Sequence, residues 1–195
     1  VAVVLSGGGA KGFAHIGVLK VLEQEGIPID IIVGTSMGSL VGGIYSIGYG
    51  AAELESLVKS LNWETTLTDD VPRLYQAKNE QLLKQRYFLS LPISENKELK
   101  LPQGLIKGQN VINILCGLAG EVPLDADFSK FPISYACVAA DLETGKEVIL
   151  DQGFLPTAMY SSMAIPLAFQ PSYRDGRLLV DGGIVNNFPA DVAKK

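Results

Sequence analysis

A parallel α/β fold is what this sequence predicts, and the reason is a pair of consecutive strand–turn–helix units at its start. Val1-Ala2-Val3-Val4-Leu5 is a short β-branched run that stops at Ser6-Gly7-Gly8-Gly9, after which Phe13, Ile16, Leu19 and Leu22 take up helical spacing. Gly26 ends that helix. Pro28 opens a second apolar run over residues 29–33, and Gly34-Thr35-Ser36-Met37-Gly38 leads into a helical stretch through Tyr45. Strands joined in this way pair in parallel and are covered on both faces, which accounts for their unbroken apolar character.

Further along, helical patterns are predicted over 51–61, 109–118 and 155–163. Residues 133–140 and 147–150 read as strands joined through Glu143-Thr144-Gly145-Lys146, a hairpin pattern. Arg174-Asp175-Gly176-Arg177 turns into a last strand over 178–180 that ends at Asp181-Gly182-Gly183, and Pro189 opens what reads as the first turn of a helix. Residues 64–107 differ in kind, being polar and rich in turn formers. The 195 residues are 47% hydrophobic and 19% charged, ample for one core, and predict a single domain over 1–195. The chain starts directly in a strand and stops a few residues into a helical turn, so the expectation is a piece of a longer polypeptide that continues at both ends.

A net charge of -5 argues against a nucleic-acid partner, which would need a clear excess of Lys and Arg. Cys116 and Cys137 stand 21 positions apart with a single histidine in the chain, so neither a zinc site nor a disulfide framework is predicted, and both read as small buried apolar side chains. No apolar run reaches the ~20 residues of a membrane-spanning helix.

In an open α/β sheet the ligand gathers at the carboxyl ends of the strands, and three glycine-bearing loops are assigned there. The first, Gly7-Gly8-Gly9-Ala10-Lys11-Gly12, matches G-x-G-x-x-G formally. A dinucleotide site would want an acid at the end of the second strand, where Gly34-Thr35-Ser36 stands; a P-loop would want Lys after the last glycine and before Ser or Thr, whereas Lys11 precedes Gly12 and Phe13 follows. Both nucleotide readings fail, and no cofactor or metal is predicted. What survives is a set of backbone amides aimed at an oxyanion, with a turn needed only for packing as the alternative. The second loop, Gly34-Thr35-Ser36-Met37-Gly38, is G-x-S-x-G between a strand and a helix, the setting of a nucleophile elbow; a plain helix N-cap is the other reading of Ser36. The third supplies Asp181 followed by Gly182 and Gly183, against the alternative of a turn aspartate bonded to its own backbone. Together an oxyanion cradle, a nucleophile and a carboxylate make up an acyl-transfer set.

In this order the three motifs resemble those of the patatin-like phospholipases, bacterial members more than plant storage patatins. Ser162-Met163-Ala164-Ile165-Pro166 with Phe169 and Pro171, and Asn187-Phe188-Pro189, also look like family signatures. The resemblance implies a three-layer α/β/α sandwich with a mainly parallel central sheet. It implies a Ser36–Asp181 catalytic dyad, a lipid acyl hydrolase of the phospholipase A type, and acyl lipid substrates met at a membrane surface. Some bacterial relatives are exported and fused to outer-membrane barrels and others are cytoplasmic; family domains carry another strand and helix beyond the position of Lys195. The competing functions are an acyltransferase using the same serine and a catalytically silent lipid-binding module.

Two further expectations follow. Residues 73–107 carry seven Lys or Arg against three Glu, a local charge of +4, with Tyr75, Tyr87 and Phe88 among them, and read either as a solvated peripheral hairpin, the more ordinary reading, or as a mobile basic flap beside the site that meets the lipid. His15, on the apolar helix after the glycine loop, reads as a packing residue, so Asp181 takes the Ser36 proton directly. Partial desolvation would raise that carboxylate toward working pH.

Overall fold

The computed structural model describes residues 1–69 and 104–194. In chain order the elements are β1 (Ala2–Leu5), α1 (Ala14–Gln24), β2 (Ile31–Thr35), α2 (Met37–Ser46), α3 (Ala51–Ser60) and α4 (Trp63–Thr68). After these come β3 (Gly104–Ile106), α5 (Gln109–Leu118), β4 (Ala126–Asp127), β5 (Ser134–Asp141), β6 (Glu147–Leu150) and β7 (Gln152–Gly153). The last are α6 (Leu155–Met163), β8 (Leu167–Phe169), β9 (Ser172–Arg174) and β10 (Arg177–Asp181). Short 3-10 turns occupy Gly9–Phe13, Phe128–Lys130, Gly182–Ile184 and Val192–Lys194. The predicted helices over 51–61, 109–118 and 155–163 form as α3, α5 and α6, and the predicted hairpin as β5 and β6. The predicted basic flap lies outside the described residues except for its last four. Helix α4, inside a stretch read as turns, is held by local chemistry. The Asn62 side chain accepts the Thr65 N–H at its start, and the Trp63 ring packs on Phe13 with centroids 4.7 Å apart.

Six strands form the central sheet among the described residues. β1 pairs with β2 and β2 with β5, all parallel, while β6 and β10 run antiparallel to β5 and β9 antiparallel to β10. Four of the six therefore run one way, the mainly parallel α/β sheet that was expected. Alternation along the strands sorts its two faces. Ile32, Tyr135, Cys137 and Ala139 join the main core, into which α2, α5 and α6 send Val41, Ile44, Val111, Leu115 and Met159. Val33, Ala136 and Val138 point the other way and pack with Val192, from the turn that stands where the helical turn after Pro189 was predicted.

The registers contain one irregularity that decides where the site lies. Cys137 and Val138 of β5 pair with both β2 and β6, and Ala139 and Ala140 pair with both β6 and β10. A strand has only two edges, so β2 and β10 share the edge of β5 that β6 does not use. They come along it from opposite ends and stop on neighbouring positions, Thr35 opposite Val138 and Asp181 opposite Ala139. All three glycine loops leave the carboxyl ends of strands, as expected, but the three strands do not all run one way. The Asp181 strand runs against its neighbour, and its end reaches the others because β5 is long enough to take two strands head to head.

Candidate active site

Ser36 follows β2 directly, and the glycines around it serve close approach. A Cβ on Gly38 would run into the Leu5 carbonyl, and one on Gly34 would lie 2.5 Å from the Gly38 carbonyl oxygen, so the helix can start this near the sheet only with glycine at both places. Between them Ser36 takes φ 53° and ψ −123°, a conformation that L residues rarely adopt and that typically costs ~1–3 kcal/mol. Strain of this kind at one residue is the mark of a nucleophile elbow. The N-cap alternative is not what forms, since the Ser36 side chain makes no capping hydrogen bond. Its hydroxyl donates instead to Asp181 Oδ2 at 2.7 Å.

Asp181 is buried, and its other oxygen, Oδ1, accepts the Gly183 N–H at 2.7 Å, so the turn-aspartate reading and the contact with Ser36 both hold. Burial pushes its carboxyl above the usual carboxylate range, opposed by the hydrogen bonds from Ser36 and Gly183. This is the direction expected of a general base. Thr35 Oγ1 donates to the Asn186 carbonyl at 2.9 Å and ties the elbow to the loop after Asp181.

The first glycine loop lies against the same pair. Gly7 is where the elements crowd. A Cβ there would sit 2.5 Å from Asn187 Oδ1 and 2.9 Å from Ser36 Cβ, and the Gly7 N–H already donates to the Asn187 carbonyl. The N–H groups of Gly8, Gly9 and Ala10 donate to no acceptor among the described residues, and those of Met37 and Gly38 at the start of α2 are also unspent. Lys11 N–H closes the turn onto the Gly8 carbonyl, its side chain is exposed, and Gly12 is buried beneath Met37.

His15 is half-buried with Nε2 2.9 Å from the Ser6 carbonyl, so it ties α1 to the end of β1, and no bond joins it to Ser36 or Asp181. Cys137 is fully buried, with its thiol pushed up to about 12 by that burial, and Cys116 is free and half-buried. No group of His, Cys, Asp and Glu among the described residues is arranged to hold a metal, and no helix among them is long and apolar enough to cross a membrane.

Two features of the site went unread in the sequence. Ser162, at the end of α6, accepts the Ser36 N–H at 3.0 Å and donates to the Val138 carbonyl at 2.5 Å. Met37 and Met163, each following one of these serines, also line an apolar recess of about 80 Å³ that runs between α1, α2, α3, α4 and α5, past Val111, Leu115, Leu54 and Trp63. The Ser162 run carried a family likeness but no periodic or charge signal. The recess is built from residues that in sequence are ordinary helix core.

Residues 3–194 match the family described as patatin-like phospholipase. An uncharacterised NTE family protein of Mycobacterium bovis is 33% identical over 189 residues, covering 97% of this chain and 44% of that protein. Lysophospholipase NTE1 of Kluyveromyces lactis is 30% identical over 190 residues, covering 97% of this chain and 11% of that protein. The structure of VipD from Legionella pneumophila has the same fold, with a TM-score of 0.59 at 17% identity over 95% of this chain and 46% of that one. The chain thus spans less than half the length of each of these proteins. Because the family match runs through all three glycine loops, from residue 3 to residue 194, the chain belongs to the patatin-like phospholipase family.

Proposed function

We propose that this domain hydrolyses the acyl esters of lipids, with Ser36 as nucleophile and Asp181 as its general base. The observation that carries the reading is the 2.7 Å hydrogen bond from the strained Ser36 hydroxyl to a buried carboxylate. Ser36 Oγ attacks the acyl carbon while its proton passes to Asp181 Oδ2, and the charge on the former carbonyl oxygen is met by the unspent amides of the Gly8–Ala10 loop. Collapse breaks the ester bond, and Asp181 returns the proton to the departing alkoxide. Water then enters and its oxygen attacks the acyl carbon as Asp181 takes its proton; the bond to Ser36 Oγ breaks, Asp181 returns that proton to Ser36, and the fatty acid leaves. The apolar recess beside Met37 suits the acyl chain, since it offers hydrocarbon walls and almost no polar group.

Family membership and the lysophospholipase name of one relative support a lipid ester as substrate. The test is a fluorophosphonate probe followed by mass spectrometry, together with fatty-acid release from lysophospholipid. The expected adduct is on Ser36. A folded Ser36→Ala protein that still releases fatty acid would overturn the proposal, and acyl transfer to an added alcohol in place of release would move the domain to the transferases.

A further inference from the structure

We infer that Ser162 is a positioning residue for the Ser36–Asp181 pair, an inference that rests on the catalytic reading above. The pair lies where β2 and β10 meet head to head on one edge of β5, and such a seam has no continuous ladder to fix the spacing of its two ends. The Val138 carbonyl faces the seam, since a Cβ on Gly182 would run into it. The Ser162 hydroxyl fills the gap by donating to that carbonyl and accepting the Ser36 N–H, and it is fully buried there. Two residues on, the Ala164 carbonyl accepts the Asp181 N–H at 2.9 Å. One short segment at the end of α6 therefore holds the backbone of the nucleophile with one group and the backbone of the base with another.

Loss of the Ser162 hydroxyl would leave a buried Ser36 N–H without an acceptor on a residue already at positive φ. The elbow would then relax, and the hydroxyl would move off Asp181 Oδ2. Ser161 is the control, being equally buried one residue earlier but bonded only to the Thr157 carbonyl of its own helix.

The experiment compares wild type, S162A and S161A in the full chain by the rate of fluorophosphonate inactivation, by kcat and KM on a soluble short-chain ester, and by Tm. S162A is expected to be inactivated and to turn over about 10- to 100-fold more slowly with KM little changed, the span that a lost buried hydrogen bond allows. S161A is expected to keep both rates. S162T keeps the hydroxyl and should recover part of the rate. Should S162A not fold, S162C supplies a weaker donor and should be inactivated more slowly than wild type. Equal inactivation of wild type and the 162 variants would overturn this inference alone, whereas absence of labelling at Ser36 in the wild type would overturn the catalytic reading and this inference with it.

Discussion

Thr35 and Asp181 face consecutive residues of β5, Val138 and Ala139, although their strands run in opposite directions. This adjacency puts the Ser36 hydroxyl and the Asp181 carboxylate in hydrogen-bond contact without a histidine between them.

Replacement of Asp181 by Asn should lower kcat by at least ~100-fold, the low end of a general-base contribution. Because burial raises the Asp181 carboxyl, the acidic limb of the wild-type rate profile should fall at a higher pH than an ordinary carboxylate would give. The same shift has a stability sign. A raised folded-state value makes burial of the ionised form costly at neutral pH, and the cost disappears as pH drops through that value and the proton binds. Asp181→Asn should therefore have a higher Tm than wild type at pH 7, with the gap closing toward acid. Thermal melts across pH check this, and a lower Tm at neutral pH would contradict it.

His15→Gln should keep most of kcat, because the His15 contact is to the Ser6 carbonyl and a Gln amide can supply a similar bond. Steady-state kinetics decide it: inactivity equal to that of Ser36→Ala in a folded protein would demand a triad in place of the dyad.

Gly7→Ala should damage activity more than stability. The added methyl meets the mobile end of Asn187, which can turn aside, but also Ser36 Cβ at 2.9 Å, which cannot move without shifting the elbow. Expression and Tm close to wild type, with fluorophosphonate labelling of Ser36 much slowed, is the expected result.

Val111→Phe narrows the recess between the helices and should reduce kcat/KM for long acyl chains while sparing short ones. Each methylene denied burial is worth ~0.8 kcal/mol, about fourfold in rate. A chain-length series on one head group measures this, and a uniform loss across the series would place the acyl chain elsewhere.

Much of this was legible in the sequence. The strands ending at Leu5, Thr35 and Asp181 are marked by apolar runs that break into glycine, and the strained turn at Ser36 and the raised carboxyl of Asp181 were expected at those breaks. The direction of β10 was not legible, because a five-residue strand bounded by turns looks the same whichever way its neighbour runs. Nor was the role of Ser162: its neighbours give no sign that its hydroxyl faces a gap in a sheet formed by residues 24 and 126 positions away. Helix α4 escaped notice because a cap, a ring contact and hydrogen bonds from Trp63 to the Val58 carbonyl and from Asn110 to the Thr65 carbonyl hold it, rather than a repeating apolar stripe.

The Ser36–Asp181 bond spans 145 residues of sequence. Ser36 leaves the ribosome well before Asp181, and its hydroxyl lacks that partner until β5 has formed and the strand from Arg177 to Asp181 has been made and added to its edge. Contacts of such long range form late in folding. The Ser36–Asp181 contact thus forms only once β2 and β10 have met on the edge of β5, and any activity that depends on the contact reports that assembly.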